Sequence, residues 1–327
     1  MNAGPIATLT GHDRGRAPSR TGLADCPSCG STHVALIGRI PDAFGFGGVS
    51  LDTAIPGGSL HECPQCHLLF RHPRLAKDQL DRLYRAAAVD IWQDSATQRP
   101  DWERAAHHIR AMGPDRTILD VGCFDGGFLA FLGDAYRRSG IEIQPQAAQR
   151  AADRGVEIVG SDLATLDGLR NRYDVVVALD VIEHVADPKA FLRALASVTK
   201  PEGTIIIATG NTDALPWKIM GGQYWYCSIA EHIAFINPRW CSKVADELQL
   251  TVLGVERYSH KPAPISRAIM HAGANVLFRF LPAVASTAKR FWSAVRGKRQ
   301  VGPQALPPPW LAANDHIIVR FRKSAAD

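Results

Sequence analysis

Short apolar runs ending at polar turns alternate along the middle of this chain with stretches of helical periodicity. Thr117-Ile118-Leu119-Asp120-Val121, Gly140-Ile141-Glu142-Ile143 and Val156-Glu157-Ile158-Val159 are too short for helices and rich in β-branched residues. Tyr173-Asp174-Val175-Val176-Val177-Ala178-Leu179 is almost wholly apolar, as a strand covered on both faces should be. A fifth run, Thr204-Ile205-Ile206-Ile207-Ala208-Thr209, follows the turn Lys200-Pro201-Glu202-Gly203. Helical stretches at Phe128 to Leu132, Gln146 to Arg154 and Pro188 to Val198 separate the strands. That alternation predicts right-handed crossovers and a parallel sheet in an α/β fold.

The first strand opens into a glycine-rich turn, Gly122-Cys123-Phe124-Asp125-Gly126-Gly127, at the position where open α/β sheets take nucleotide-like ligands. A dinucleotide fingerprint needs glycine at the first, third and sixth places, and Phe124 fails the middle one. The turn has no lysine or arginine for a phosphate, and Asp120 and Asp125 would repel a pyrophosphate and attract a cationic amine. S-adenosylmethionine, with an amine, a sulfonium and a ribose but no phosphate, suits that chemistry. Glu142 ends the second strand roughly 20 residues further on, where a carboxylate accepts from ribose hydroxyls. Asp162 ends the third, placed to meet an adenine amino group.

Together, Asp120 to Gly126, Glu142, Asp162 and Leu179-Asp180-Val181-Ile182-Glu183-His184-Val185 resemble the successive motifs of class I S-adenosylmethionine-dependent methyltransferases. The resemblance covers Thr117 to Thr209 closely. It implies a Rossmann-like sheet in which Asp120, Gly122 and Gly126 line the methionine end of the cofactor. It also implies Glu142 at the ribose, Asp162 at the adenine and Asp180 near the methionine part. Phe124 stands where the family often has a second glycine.

Upstream, Cys26-Pro27-Ser28-Cys29 and Cys63-Pro64-Gln65-Cys66 are two C-x-x-C knuckles, each holding two thiolates on one tight turn. Two such knuckles close a four-sulfur shell around a structural zinc, and ligation would supply much of the folding free energy of so short a segment. His33, His61, His67 and His72 are read as solvated or turn residues, and Cys123, Cys227 and Cys241 as ordinary buried thiols. The following segments, Leu68 to Arg74 and Asp78 to Tyr84, resemble more loosely the zinc-ribbon methyltransferases of bacterial sugar, polysaccharide and glycolipid biosynthesis, sugar C-methyltransferases among them.

A chain of 327 residues with 46% hydrophobic content accommodates one full α/β domain with small appendages. The expected division is a disordered lead over 1–25, a zinc ribbon over 26–75, a methyltransferase domain over 76–260 completed by a last strand within 310–323, and a basic helical insertion over 261–309. Met1 to Asp25 has no apolar run, and no stretch reaches the roughly 18 apolar residues of a membrane span. With seven cysteines and no export signal the expected setting is the cytoplasm. A net charge of +5 says little by itself.

Choice of acceptor must come from other residues. Glu183-His184 follows the fourth strand at the ligand-bearing sheet edge, and Glu231-His232 follows the aromatic run Tyr224-Trp225-Tyr226. The sugar C-methyltransferases that this chain resembles use Tyr-x-Glu-His in the second region, where Ile229 stands in place of the tyrosine. His232 is the first choice for catalytic base, with Glu231 orienting its ring and a tyrosine contribution left to Tyr224 or Tyr226; His184 is the second. Trp217, Trp225 and Tyr226 could stack on a sugar or nucleobase, or form a lid packed on the core.

Val252 to Val255 and His316 to Phe321 read as the final antiparallel pair of strands. Between them, no Asp or Glu occurs from Arg257 to Asn314. Ile265, Ile269, Ala272, Val276 and Phe280 recur at helical spacing, as do Val284, Ala288, Phe291 and Val295, with Arg267, Arg279, Lys289, Arg290, Arg296, Lys298 and Arg299 on other faces. Such a pair can lie on an anionic membrane at its cytoplasmic face, pack on its own domain or make a dimer contact. The function expected is methyl transfer to oxygen or carbon of a small or glycan-type acceptor: a sugar, a nucleotide-sugar or a lipid-linked intermediate. The alternatives are a nucleic-acid methyltransferase, disfavoured because Leu179 to Ile182 lacks an Asn/Asp-Pro-Pro-aromatic motif, and a non-enzymatic binding module.

Overall fold

The computed structural model of the protein describes residues 24–47, 49–75, 79–80, 83–84, 99–259, 261, 264–281, 284–285, 307–308, 310 and 314–325. The lead before Ala24 and the second apolar repeat beyond Ala285, with its five cations, lie outside the described residues.

The strands in chain order are β1 (Ala35–Arg39), β2 (Ala43–Phe46), β3 (Val49–Ile55), β4 (Ser59–Glu62), β5 (Leu69–His72), β6 (Thr117–Val121) and β7 (Arg137–Ile141). They continue with β8 (Glu157–Gly160), β9 (Tyr173–Leu179), β10 (Thr199–Gly210), β11 (Ala234–Phe235), β12 (Leu250–Tyr258) and β13 (His316–Lys323). Seven form one sheet in the order β12-β13-β10-β9-β6-β7-β8. β6 to β10 run parallel where they pair, and β13 inserts antiparallel to both β10 and β12.

Alternation along the central strands divides the core into two. Leu119, Val121, Val176, Ala178, Ile205 and Ile207 face one side, under helices Pro188–Val198 and Pro238–Glu247. Ile118, Val175, Val177, Ile206 and Ala208 face the other, under helices Pro100–Ala111 and Gly127–Leu132. Both faces are dry, which explains the near-continuous apolar runs. The order reverses beside β6, with β7 on one flank and β9 on the other, so the crevice beyond their carboxyl ends is the natural ligand position.

The turn expected at Lys200–Gly203 instead lies inside β10, as an irregularity between Thr199 and Thr204, because Thr199 already pairs with Tyr173. The last two strands are longer than their apolar runs, since the β12–β13 pairing continues from Leu250 to Tyr258.

A second, antiparallel sheet has the order β1-β4-β5-β11, beside the β2–β3 hairpin. β11 lies far down the chain, so the cysteine knuckles are built into the face of the larger unit: Cys26, Cys63, Cys66 and Phe70 belong to the same apolar cluster as Trp240 and Val244. His61 departs from the expectation of a solvated or turn residue. It sits on β4, its ring stacked 5.8 Å from Phe70 and bonded to Ser59 Oγ at 3.0 Å.

Helix Ile265–Phe280 confirms the first helical repeat and shows which way it faces. Asn275 and Phe278 are buried, Phe278 against Trp217, Tyr224 and Trp310. Ile265 is 80% exposed, Ile269 66% and Phe280 70%, so the apolar stripe points outward.

Candidate active site

The carboxyl edge of the parallel strands carries the expected acids, and three of them come together there. Asp120 is buried at the end of β6, and burial, with Glu142 nearby, pushes its carboxyl up to about 7. Gly122 follows at φ +80°, and a Cβ there would lie 2.7 Å from Val181 Cγ2, so glycine is required on both conformational and steric grounds. Phe124 adopts φ 48° without glycine's freedom, a strained backbone at the place where the family pattern has glycine. Glu142 accepts from the backbone N–H groups of Phe124 and Gln144, both at 2.8 Å. Burial still raises its pKa against those donors.

Asp162 is exposed and caps a short 3-10 turn by accepting from Thr165 N at 3.2 Å. Asp125 is occupied by Gly127 N at 3.1 Å and by Arg154 at 2.7 Å. Asp180, at φ 56°, pairs with Arg99 at 2.5 Å, and Arg99 also holds the buried Asp101 at 2.6 Å. Asp120, Glu142 and Asp180 thus gather at one edge around Arg99, which pairs with Asp180 and, like Glu142, acts on Asp120. The chemistry of that edge suits a ligand carrying a cationic amine, and Arg99, already paired with two acids, fixes Asp180 in place.

The two Glu-His pairs, almost fifty residues apart in sequence, meet beside that crevice. The ring centroids of His184 and His232 are 4.9 Å apart, edge to face, and Tyr226 lies 4.1 Å from His232. Tyr226 reaches in because β10 ends at Gly210, where a Cβ would stand 2.8 Å from its ring. The Tyr226 hydroxyl donates to Glu183, which also accepts from Thr209 Oγ1 at 2.9 Å. Burial, reinforced by Asp180, lifts the Glu183 carboxyl to about 7 despite those donors.

His232 Nδ1 lies 3.0 Å from the carbonyl oxygen of Tyr226. A carbonyl can only accept, so Nδ1 carries the proton and the lone pair of the neutral ring is on Nε2. Nε2 has no hydrogen-bond partner among the described residues. Burial, with His184, Arg71 and His316 as neighbours, pushes His232 well below its ordinary pKa, which keeps the ring neutral. His184 is engaged on two sides, by the Tyr84 hydroxyl at Nδ1, 2.9 Å away, and by the backbone of Glu231.

Glu231 does not orient His232 as the sequence suggested. Its carboxylate accepts from Gly47 N, and the Tyr226 carbonyl takes the orienting role, because the loop turns the two side chains apart. Tyr224 does not reach the histidines either; its hydroxyl donates to the buried Asp315. Tyr84, Arg99, Asp101 and Thr209 were not singled out in sequence. Only Tyr84 had a signal, its place in the segment after the second knuckle.

Among the described residues, two groups of side chains have metal-ligand geometry. Cys26, Cys29, Cys63 and Cys66 hold their sulfurs within 4.8 Å of one another, with Cys26–Cys66 at 3.5 Å and Cys29–Cys63 at 3.6 Å. A tetrahedral zinc with bonds of about 2.3 Å requires sulfurs about 3.8 Å apart. The thiols are shifted in opposite directions: the bond from Cys66 draws Cys26 down to about 5 and favours its thiolate, while burial pushes Cys29 up to about 11. A divalent ion is what four such sulfurs fit. Glu183, His184 and His232 also converge within 4.8 Å, but ligation there would displace the Tyr226 and Tyr84 hydroxyls.

Residues 93–255 match a family model described as a methyltransferase domain. The match takes in β6 to β10 and both Glu-His pairs, and leaves out both cysteine knuckles, the outward-facing helix and β13. A ubiquinone biosynthesis O-methyltransferase of Caulobacter vibrioides is 33% identical over 143 residues, 40% of this chain and 55% of that protein. Its counterpart in Serratia proteamaculans is 30% identical over 142 residues, 38% of this chain and 57% of that protein. The match therefore spans little more than half the length of these curated relatives. Among solved structures, a magnesium protoporphyrin IX methyltransferase of Synechocystis with bound SAH aligns at a TM-score of 0.45 and 15% identity, over 76% of this chain and 94% of that one.

Proposed function

We infer, from the premise that this chain belongs to the class I S-adenosylmethionine-dependent methyltransferases, that it transfers a methyl group to a hydroxyl of a small-molecule acceptor. The observation that carries this reading is the neutral His232, whose Nε2 is uncommitted among the described residues and whose ring packs on His184, four residues beyond Asp180. Bound S-adenosylmethionine supplies an electrophilic methyl group on a sulfonium. Asp120 and Asp180 hold its cationic end, Glu142 its ribose and Asp162 the rim toward the adenine. Arg99 anchors Asp180 for the contact with that cationic end.

His232 Nε2 accepts the acceptor's hydroxyl proton as the new bond forms, and the Tyr226 carbonyl keeps the ring in the required tautomer. Glu183 and Tyr226 wall the pocket, and Glu231 supports it through Gly47. His184 positions rather than accepts, since its ring is already engaged. The name of the curated relatives supports oxygen over carbon as the methylated atom. Within hydroxyl acceptors, the knuckle segment's resemblance to glycan-pathway enzymes favours a sugar, nucleotide-sugar or lipid-linked carrier.

Cys26, Cys29, Cys63 and Cys66 are assigned to a structural zinc, because their four sulfurs leave no open ligand position. The outward apolar stripe of Ile265–Phe280, in a stretch without acidic residues, supports peripheral contact with an anionic membrane. No helix among the described residues is long and apolar enough to cross one.

The test is transfer of a tritiated methyl group from S-adenosylmethionine to a panel of nucleotide-sugars, lipid-linked sugars and ubiquinone-pathway hydroxyl compounds. Label on oxygen of any one class supports the reading and names the acceptor. Cofactor binding by calorimetry with no transfer to any class, or label on carbon, removes O-methylation.

A further inference from the structure

The knuckles and the acceptor-side histidine lie far apart in sequence but are joined by a short series of buried bonds. Cys63 N donates to Leu68 O at 2.9 Å, closing the second knuckle directly onto the start of β5. β5 pairs with β11 through Phe70 with Ala234 and Leu69 with Phe235. Arg71, only 2% exposed, donates from its backbone N–H to Ile233 O at 3.0 Å. Its Nη2 reaches the carbonyls of Cys227 at 2.5 Å and Ile229 at 3.0 Å. One residue of β5 therefore grips both ends of the loop that carries Glu231 and His232, its side chain holding the Cys227–Ile229 end and its backbone N–H the Ile233 end.

Both knuckles also dock on the segment that follows β11. Trp240 Nε1 donates to Ser28 Oγ at 3.0 Å, and Asn237 Nδ2 donates to His67 O at 2.9 Å. Among the described residues, no hydrogen bond from the knuckle turns or β5 reaches the Asp120–Asp125 turn or Glu142. Arg71 is also an expensive choice for a purely structural core position. Its guanidinium is buried, and its Nε has no hydrogen-bond partner among the described residues. A residue that only filled space there would be apolar.

We propose that the four-cysteine centre governs the acceptor half of the active site, with Arg71 as the positioning residue that transmits knuckle closure to the Cys227–Ile233 loop and so to His232. This rests on reading His232 as the acceptor-side base. The cofactor half, built on β6 and β7, shares apolar packing with the centre but, among the described residues, no hydrogen bond with it. Loss of the metal then leaves a protein that binds S-adenosylmethionine but has no ordered wall to receive an acceptor.

Hydrogen exchange read by mass spectrometry on the full chain tests this. The zinc-loaded protein is compared with the chelated protein under reducing conditions and with Arg71→Met and Arg71→Lys, and calorimetry measures S-adenosylmethionine affinity in parallel. In the chelated protein and in Arg71→Met, peptides covering 226–235 exchange about tenfold faster or more. Arg71→Lys recovers part of that protection, because one ammonium can still serve a carbonyl. Peptides covering 117–132 and 139–142 stay as protected as before, and cofactor affinity changes by less than about threefold.

Unchanged protection over 226–235 while 26–31 and 63–68 open overturns the proposal. So does uniform loosening of every peptide, which would make the centre a general stabiliser. If Arg71→Met does not fold, the chelated wild-type protein decides alone. Failure of the zinc-loaded protein to bind S-adenosylmethionine would defeat the methyltransferase reading and leave the coupling to be judged by exchange.

Discussion

The backbone carbonyl of Tyr226 accepts from Nδ1 of His232, six residues further along, at 3.0 Å. The same tyrosine's hydroxyl donates to Glu183 from the other Glu-His pair. One residue therefore sets the histidine's tautomer with its main chain and satisfies a buried carboxylate with its side chain. Burial holds the Tyr226 phenol well above its ordinary pKa, so that hydroxyl keeps its proton and remains a donor.

Replacing His232 with Gln preserves a polar side chain of similar size but removes the base. Turnover should fall by ~10²–10⁴-fold, the usual contribution of a positioned general base, with S-adenosylmethionine affinity nearly unchanged. Steady-state kinetics and calorimetry check the two halves separately. Unaltered turnover would eliminate His232 from the chemistry.

Cofactor binding should release protons in mildly acidic solution. Asp120 rises from its ordinary value of 3.8 to about 7 in the free protein, so around pH 6 it is largely protonated. A cationic ligand favours the carboxylate and lowers that pKa, expelling a fraction of one proton. Calorimetry at pH 6 in buffers of different ionisation enthalpy measures the release. It should fade above pH 8, where the group is already ionised.

The same upward shifts fix the pH dependence of the free protein's stability. Asp120, and Glu183 from 4.5 to about 7, bind protons more tightly folded than unfolded. Their stabilising contribution is full below about pH 4 and is lost as pH rises through about 7. Denaturant midpoints of Asp120→Asn should be less sensitive than wild type between pH 5 and 7.

Gly210→Ala forces a methyl group against the Tyr226 ring. The ring must retreat, which loosens both its hydroxyl bond and its carbonyl's hold on His232. A stability loss of about 1–3 kcal/mol is expected, accompanied by a fall in kcat larger than any change in cofactor affinity. Thermal denaturation and kinetics would show it. Equal losses at both substrates would argue against the route through Tyr226.

Vesicles give the outward helix its own check. The full chain should co-float with liposomes containing anionic lipid and dissociate as salt rises, while Ile269→Asp and Phe280→Asp reduce binding. Flotation on neither anionic nor neutral vesicles would reject membrane contact and leave a second protein surface as the partner.

Much of this arrangement was legible in the chain because it depends on local pattern. The apolar runs marked the parallel strands, the C-x-x-C spacing marked the knuckles, and strand-terminal acids marked the crevice. Other features depend on distant residues meeting. Glu231 and His232 are adjacent in sequence, yet their side chains serve different partners. Arg71 reads as an ordinary charged residue in a short strand, and only the fold shows it buried among carbonyls. Tyr84 reaches His184 across a hundred residues, which no periodicity could disclose.

The pairing of β5 with β11 also bears on how the polypeptide is made. β4 and β5 can zip together soon after they emerge from the ribosome, but Phe70 must wait for Ala234 before its outer side is covered. While residues 73–233 are being made the small sheet therefore has an open border able to pair with another nascent copy. Early capture of metal by the two cysteine turns would hold that border in shape until its late-arriving strand appears.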